Sequence, residues 1–212
     1  MRQTVYIVCG LLAFIGVGAS ASFYFKDPYN PGFVEHPIIT GIHVVLGGVY
    51  LAFAPFQFVQ RIRNRAMGYH RWMGRLLAGS GLVVGAGGFF LGVFVPFSGW
   101  PERMVIGFFS VFFFVAIAKG VLYARAHEAG LHREWMIRAF AIGLGIATMR
   151  IIFVPILIAI GNPTQEQAEF FSILSFTVAF VVHALAAELW IRHTRSAVVR
   201  SEPRDAPAEV AG

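Results

Sequence analysis

The sequence predicts an all-α integral membrane protein with six transmembrane helices. Each of six apolar stretches can cross a bilayer, since about 20 helical residues span the roughly 30 Å of hydrocarbon. The composition agrees, because 57% of the residues are hydrophobic and only 13% are charged. The predicted spans are Val5–Phe25, Pro37–Val59, Trp72–Val95, Met104–Ala124, Trp135–Ile160 and Phe170–Ile191.

Loop charge predicts the orientation of these spans. Arginine is concentrated between spans 2 and 3, between spans 4 and 5, and after span 6, whereas the opposite loops hold only Lys26 and Arg103. Cytoplasmic loops carry the excess of basic residues, so both termini are predicted to be cytoplasmic, in a multi-pass protein of the bacterial cytoplasmic (inner) membrane. The net charge of +6 suits an anionic inner leaflet and requires no nucleic-acid partner.

The two ends of the chain require separate predictions. Arg2 and the small residues Ala19-Ser20-Ala21 leave a cleavable signal peptide as an alternative for the first span. An uncleaved span is favoured, because apolar sequence continues to Phe25 past that site. The transmembrane domain is therefore predicted to cover residues 1–193. Residues 194–212 have few apolar side chains and are predicted to form a disordered cytoplasmic tail.

A short repeat relates two helical hairpins. The segment His70-Arg71-Trp72-Met73-Gly74-Arg75 resembles His132-Arg133-Glu134-Trp135-Met136-Ile137-Arg138, with Glu134 as an insertion. The offset between the two histidines also separates Gln57 from Lys119. Spans 2–3 and spans 4–5 are therefore predicted to be parallel repeats, related by an axis along the membrane normal.

Residue size predicts which spans lie at the centre of the bundle. Spans 3 and 5 are rich in glycine, and small residues let transmembrane helices approach closely. These two spans are predicted to be central. Span 4 is rich in phenylalanine, and its Phe face is predicted to contact lipid or a larger membrane complex.

Polar side chains within the spans are candidates for function, because ionisable groups are costly inside a membrane. Arg150 lies too deep to reach water easily and needs an acceptor, such as a carbonyl near Pro155 or a bound anion. Lys119 lies near a helix end, where it can extend to the interface. The intramembrane candidates are His43, Gln57, Lys119, Arg150 and His183.

The strongest candidate site lies at the cytoplasmic ends of the repeated helices. Helix N-termini and arginine guanidinium groups both bind anions, which favours a lipid headgroup. Glu188 is equally compatible with a structural ion pair to an arginine of the site. The predicted anion- or lipid-binding residues are His70, Arg71, Arg75, His132, Arg133, Arg138 and Glu188.

These residues also carry a resemblance. The chain resembles an uncharacterised bacterial family of predicted membrane proteins, domain of unknown function 2306, over about Ile39 to Trp190. The resemblance implies a helical membrane bundle and no established activity. The motif residues are His43-x3-Gly47, Pro55-Phe56-Gln57-Phe58, Arg61-x-Arg63, His70-Arg71-x2-Gly74-Arg75, His132-Arg133-x-Trp135-Met136-Ile137-Arg138, Arg150 and Ala187-Glu188.

Three functional hypotheses follow, and the sequence does not decide whether the protein is an enzyme. The favoured hypothesis is a non-enzymatic accessory or binding subunit that has membrane lipids as partners. The second is a haem- or quinone-linked electron-transfer protein, with haem b as its cofactor. The third is an intramembrane metallohydrolase with His70, His132 and Glu188 as metal ligands, although no local metal-binding motif such as H-E-x-x-H occurs.

Overall fold

The computed structural model describes residues 2–22 and 31–201, which form eight α-helices, one 3₁₀ helix and no strand. The long helices are the elements expected from the apolar stretches. The helices are α1 (Arg2–Ser22), α2 (Pro31–Glu35), α3 (Pro37–Phe53), the 3₁₀ helix Ala54–Phe58, α4 (Gln60–Arg65), α5 (Met67–Phe94), α6 (Gly99–Arg125), α7 (Ala129–Ile160) and α8 (Gln165–Ser201).

Five of the described helical segments are long and apolar enough to cross a membrane. They are α3 with its 3₁₀ continuation, α5, α6, α7 and α8 as far as Arg195. This confirms a multi-pass helical membrane protein. The first predicted span corresponds to α1, whose apolar stretch Thr4–Gly18 is shorter. The end of that predicted span, residues 23–25, lies outside the described residues.

The helices surround a core that extends through α3, α5, α6 and α7. Tyr50 of α3 is 4% exposed and lies against Gly81 of α5 and Gly143 of α7. Helix α1 packs against α3 and α7, whereas α8 packs against α6 and α7. Helix α7 therefore contacts α1, α6 and α8.

Glycine permits the closest helix contacts. A Cβ atom at Gly81 would lie 2.9 Å from Cδ1 of Ile117 on α6. A Cβ atom at Gly145 would lie 2.7 Å from Cδ1 of Phe180 on α8. Both distances are shorter than carbon atoms tolerate, so a side chain at either position would have to displace Ile117 or Phe180. The glycines of α5 and α7 thus allow α6 and α8 to pack at close range.

The prediction that the Phe face of span 4 is turned outward is wrong for two of its members. Phe109 and Phe113 are buried in the bundle core, and the ring of Phe109 stacks on Phe180 with a centroid distance of 4.8 Å. Phe108 is 66% exposed. The phenylalanines surround α6, so one helical face cannot contain them all.

A break in α3 shapes one end of the bundle. The helix tightens into the 3₁₀ helix Ala54–Phe58, which has Pro55 in its first turn, and α4 follows directly. Proline lacks a backbone N–H and disrupts the hydrogen bonds of an α-helix. Phe58 then packs against Phe140 of α7, with ring centroids 5.2 Å apart.

The last helix extends beyond its predicted end at Ile191 and reaches Ser201. Residues 194–201 of the predicted tail lie within this helix, and residues 202–212 lie outside the described part. The extension has a physical cause, because Thr194 and Arg195 both bond to α7. These bonds hold the helix against its neighbour for a further turn.

Candidate functional site

The arginine-rich end is our name for the end of the bundle that holds α4, the α6–α7 connection and the last turns of α8. There α7 and α8 are joined by a two-pronged ion pair. The guanidinium of Arg138 donates from Nε to Oε1 of Glu188 at 2.5 Å and from Nη2 to Oε2 at 3.0 Å. Such bidentate pairs are the strong ones among charged hydrogen bonds. Of the two possibilities for Glu188, the structure shows the ion pair.

Two further residue pairs connect the same helices nearer the end. The Glu134 carboxylate is buried and accepts two hydrogen bonds from the guanidinium of Arg195. Arg133 Nη1 donates to Oγ1 of Thr194 at 3.1 Å. Glu134 and Arg195 are not among the site residues predicted from the sequence. The available signal was the insertion of an acidic residue in the second copy of the repeat.

Two cationic side chains lie over the ring of Trp135. Lys119 Nζ and the guanidinium carbon of Arg138 each lie 4.6 Å from the ring centroid. The Lys119 side chain is exposed. Cations are attracted to the face of an indole ring, so this contact helps to position the Arg138 guanidinium beside Glu188.

His70 and His132 lie close enough for their charges to interact, but their hydrogen bonds differ. His132 donates from Nδ1 to the carbonyl of Gly120 at 2.8 Å. Nδ1 of His70 and both polar atoms of the Gln57 amide are buried and have no hydrogen-bond partner among the described residues. The Gln57 amide lies near Gly74, one turn along α5 from His70.

The seven predicted site residues therefore divide into different environments. Arg133, Arg138 and Glu188 join α7 to α8, whereas Arg71 and Arg75 lie exposed on α5. Within residues 2–22 and 31–201, the structure brings together no group of three His, Cys, Asp or Glu side chains that could hold a metal ion. His70, His132 and Glu188 do not form a ligand set.

The deeper polar residues bond to the helices around them. His43 donates from Nδ1 to the carbonyl of Val84 at 2.8 Å, and Oγ1 of Thr148 shares a 2.7 Å hydrogen bond with Nε2 of His183. Arg150 donates to the carbonyl of Ile146, one turn back in its own helix, at 3.1 Å. Its observed acceptor is therefore a carbonyl before the residue, whereas the prediction considered one near Pro155.

A partly enclosed cavity of about 270 Å³ reaches from the arginine-rich end toward the middle of the bundle. Its walls come from α1, the 3₁₀ break and α4, α7, and α8. Most of the lining is apolar. The lining residues are Val5, Tyr6, Cys9, Pro55, Phe56, Phe58, Val59, Arg63, Arg133, Ile137, Phe140, Ala141, Leu144, His183, Ala186, Ala187 and Trp190.

The polar residues of this cavity lie at two levels. Arg63 and Arg133 come from α4 and the first turn of α7, so they lie at the arginine-rich end. His183 lies seven residues before Trp190 in α8, which is about 10 Å deeper. The cavity therefore offers guanidinium groups at one end and mostly hydrocarbon surface beyond them.

These helices define the class of protein, a multi-pass helical membrane protein. The chain belongs to the family described as Predicted membrane protein (DUF2306), whose family model matches residues 40–191. The match extends from the first turn of α3 into α8 and includes the motif residues. Neither a curated protein nor a solved structure matches this sequence.

Proposed function

We propose that this protein is a non-enzymatic binding subunit of the bacterial cytoplasmic membrane, and that it holds an amphiphile with an anionic headgroup. The headgroup binds at the arginine-rich end of the cavity, beside Arg63 and Arg133. Membrane lipids are the partners that this proposal requires. The proposal keeps Arg133 from the predicted site and adds Arg63, which the prediction did not include.

One observation carries the proposal: two guanidinium groups line one end of a cavity that is otherwise mostly apolar. Guanidinium binds carboxylate and phosphate through charged, often bidentate hydrogen bonds. Apolar walls favour hydrocarbon. An amphiphile is the class of ligand that has both features in one molecule.

The proposal includes a topology of six spans with both termini in the cytoplasm. Successive long helices alternate in direction, so α4, the α6–α7 connection and the end of α8 belong to the same side. These segments and the helix turns that adjoin them contain most of the arginines, which supports a cytoplasmic location. Reporter fusions after Arg65 and after Gly130 should behave as cytoplasmic, and a fusion after Gly99 should behave as external. An external signal at Gly130 would overturn this topology.

Lipid binding is tested by native mass spectrometry of the full chain in detergent. The protein should retain phosphatidylglycerol in preference to phosphatidylcholine. Arg63→Gln should weaken phosphatidylglycerol binding by about tenfold, because a charged hydrogen bond contributes roughly 1.5–3 kcal/mol.

The matched control is Arg65→Gln, since Arg65 is an exposed arginine of the same short helix that does not line the cavity. This variant should bind phosphatidylglycerol as the parent does. Equal losses in both variants would indicate nonspecific surface charge and would contradict the proposed site. Arg133→Gln is less informative, because Arg133 also bonds to Thr194.

A further inference from the structure

We infer that the cavity holds a single acyl chain, so that the ligand is an amphiphile with one chain inserted between α1 and α8 and an anionic headgroup at the arginine-rich end. This inference rests on the proposed function and adds the class of ligand and its route of access. The chemistry is shared by a free fatty acid and by one chain of an anionic phospholipid.

The length of the cavity suits a chain lying along the bundle axis. On α7 its lining residues run from Arg133 to Leu144, eleven residues apart, which corresponds to about 16 Å of helix. On α8 they run from Trp190 back to His183. A chain extending from the guanidinium groups would therefore lie parallel to α7 and end near the middle of the bundle.

The width of the cavity suits one chain. Three of its lining residues on α7 and α8 are alanines, Ala141, Ala186 and Ala187, which leave space between the helices. The volume of about 270 Å³ lies just below the range of roughly 300–1,000 Å³ that is usual for drug-sized ligands. The second chain of a phospholipid would have to remain in the bilayer.

The route of access follows from the positions of α1 and α8. Both helices pack against α7, and both line the cavity, α1 through Cys9 and α8 through Ala186. The cavity is only partly enclosed. An amphiphile already in the membrane can thus slide in sideways, with its headgroup kept at the interface and its chain kept out of water.

The single cysteine of the chain gives a direct probe, because Cys9 lines the cavity and is partly exposed. The experiment measures alkylation of Cys9 by N-ethylmaleimide in the full-length protein, reconstituted in phosphatidylcholine nanodiscs. Palmitate at ten times its dissociation constant should slow the alkylation about tenfold, by mass action. Butyrate at the same concentration should have no effect, since its chain is too short to reach Cys9.

A matched pair of variants tests whether the chain occupies the cavity. Ala186 and Ala118 are both exposed alanines on long helices, but only Ala186 lines the cavity. Ala186→Phe should abolish protection of Cys9 by palmitate, whereas Ala118→Phe should retain it. Should Ala186→Phe fail to fold, Ala141→Leu narrows the same cavity from α7 and provides the same comparison.

Two results would overturn the inference: protection by palmitate that persists in both cavity variants, or equal protection by butyrate.

A different result distinguishes failure of the proposed headgroup site from failure of the chain site. If uncharged hexadecanol protects Cys9 as well as palmitate does, the headgroup site fails and the chain site stands. If the Ala186→Phe variant loses protection by palmitate, the chain site stands. If that variant still retained phosphatidylglycerol, the headgroup would bind independently of the acyl chain.

The source of the chain is identified in the same assay. Nanodiscs that contain phosphatidylglycerol and no fatty acid provide the second arm. Slow alkylation in those nanodiscs assigns the chain to the membrane lipid. Slow alkylation with palmitate alone assigns it to a free fatty acid.

Discussion

The starts of α5 and α7 have nearly the same sequence and very different surroundings. On α7, Arg138 pairs with Glu188 and lies over the ring of Trp135. On α5, the corresponding Arg75 and Trp72 are exposed, and Trp72 has 58% of its surface accessible. Helix α8 packs against α7 and provides Glu188, the partner of Arg138. Two similar segments can therefore join helices in one place and face outward in the other.

The largest expected difference between the two copies concerns the ion pair. Arg138→Gln should lower the free energy of unfolding by about 2 kcal/mol, since it removes a bidentate charged hydrogen bond whose carboxylate partner, Glu188, is 40% exposed. Arg75→Gln should change it by less than about 0.5 kcal/mol, as expected for an exposed residue. Equilibrium unfolding by SDS in mixed micelles measures both values.

A double-mutant cycle with Glu188→Gln isolates the pair itself. The loss in the double variant should be smaller than the sum of the losses in the two single variants, because each single change already removes the same interaction. Additive losses would show that Arg138 and Glu188 act independently and would remove the contrast between the two copies.

The second difference concerns helix approach. Gly145→Val should lower the free energy of unfolding by about 2 kcal/mol, because its side chain would overlap the ring of Phe180. Gly79→Val on α5 is the matched control, since a Cβ atom there meets nothing within 4 Å. The same unfolding assay applies. Equal effects at both positions would mean that close packing of α8 does not distinguish the copies.

The third difference concerns the histidines. His132→Phe should cost about 1 kcal/mol through loss of the bond to the Gly120 carbonyl. His70→Phe should be neutral or stabilising, because it removes a buried nitrogen that has no partner among the described residues. Thermal unfolding of the two variants side by side makes the comparison. A larger loss of stability for His70→Phe than for His132→Phe would show that His70, and not His132, makes the stabilising hydrogen bond.

The smallest expected effect concerns Lys119, whose ammonium lies over Trp135. Lys119→Met keeps a long, flexible side chain and removes the charge. It should lower stability by about 0.5 kcal/mol, the usual size of an exposed cation–π contact. Lys119→Arg should retain the stability of the parent, and failure of this rescue would show that the charge is unimportant.

Apolar stretches determined how much of the fold could be predicted. Transmembrane segments depend on the length and hydrophobicity of the local sequence, so five predicted spans correspond to helices in the structure. The break at Pro55 lies inside one of these stretches, where composition alone gives no boundary. The continuation of α8 depends on the contact of Arg195 with Glu134, which is distant in sequence.

The candidate site was harder to predict, because helix ends that share a depth need not share a face. Arg75 and Arg133 both lie near the arginine-rich end, yet one is exposed and the other lines the cavity. The cavity itself depends on α1 and α8 both packing against α7. Residues as far apart in the sequence as Cys9 and Ala186 line it. A short sequence pattern cannot reveal that residues so distant in the chain line the same cavity.

The dependence of α7 on α8 also has a consequence for biosynthesis. Chains are made from the N-terminus, so α7 enters the membrane before α8 has been synthesised. During that interval Glu134 and Arg138 have no α8 to meet, and the cavity lacks its fourth wall. Arrival of the last helix would therefore pair both charges and close the cavity in one step.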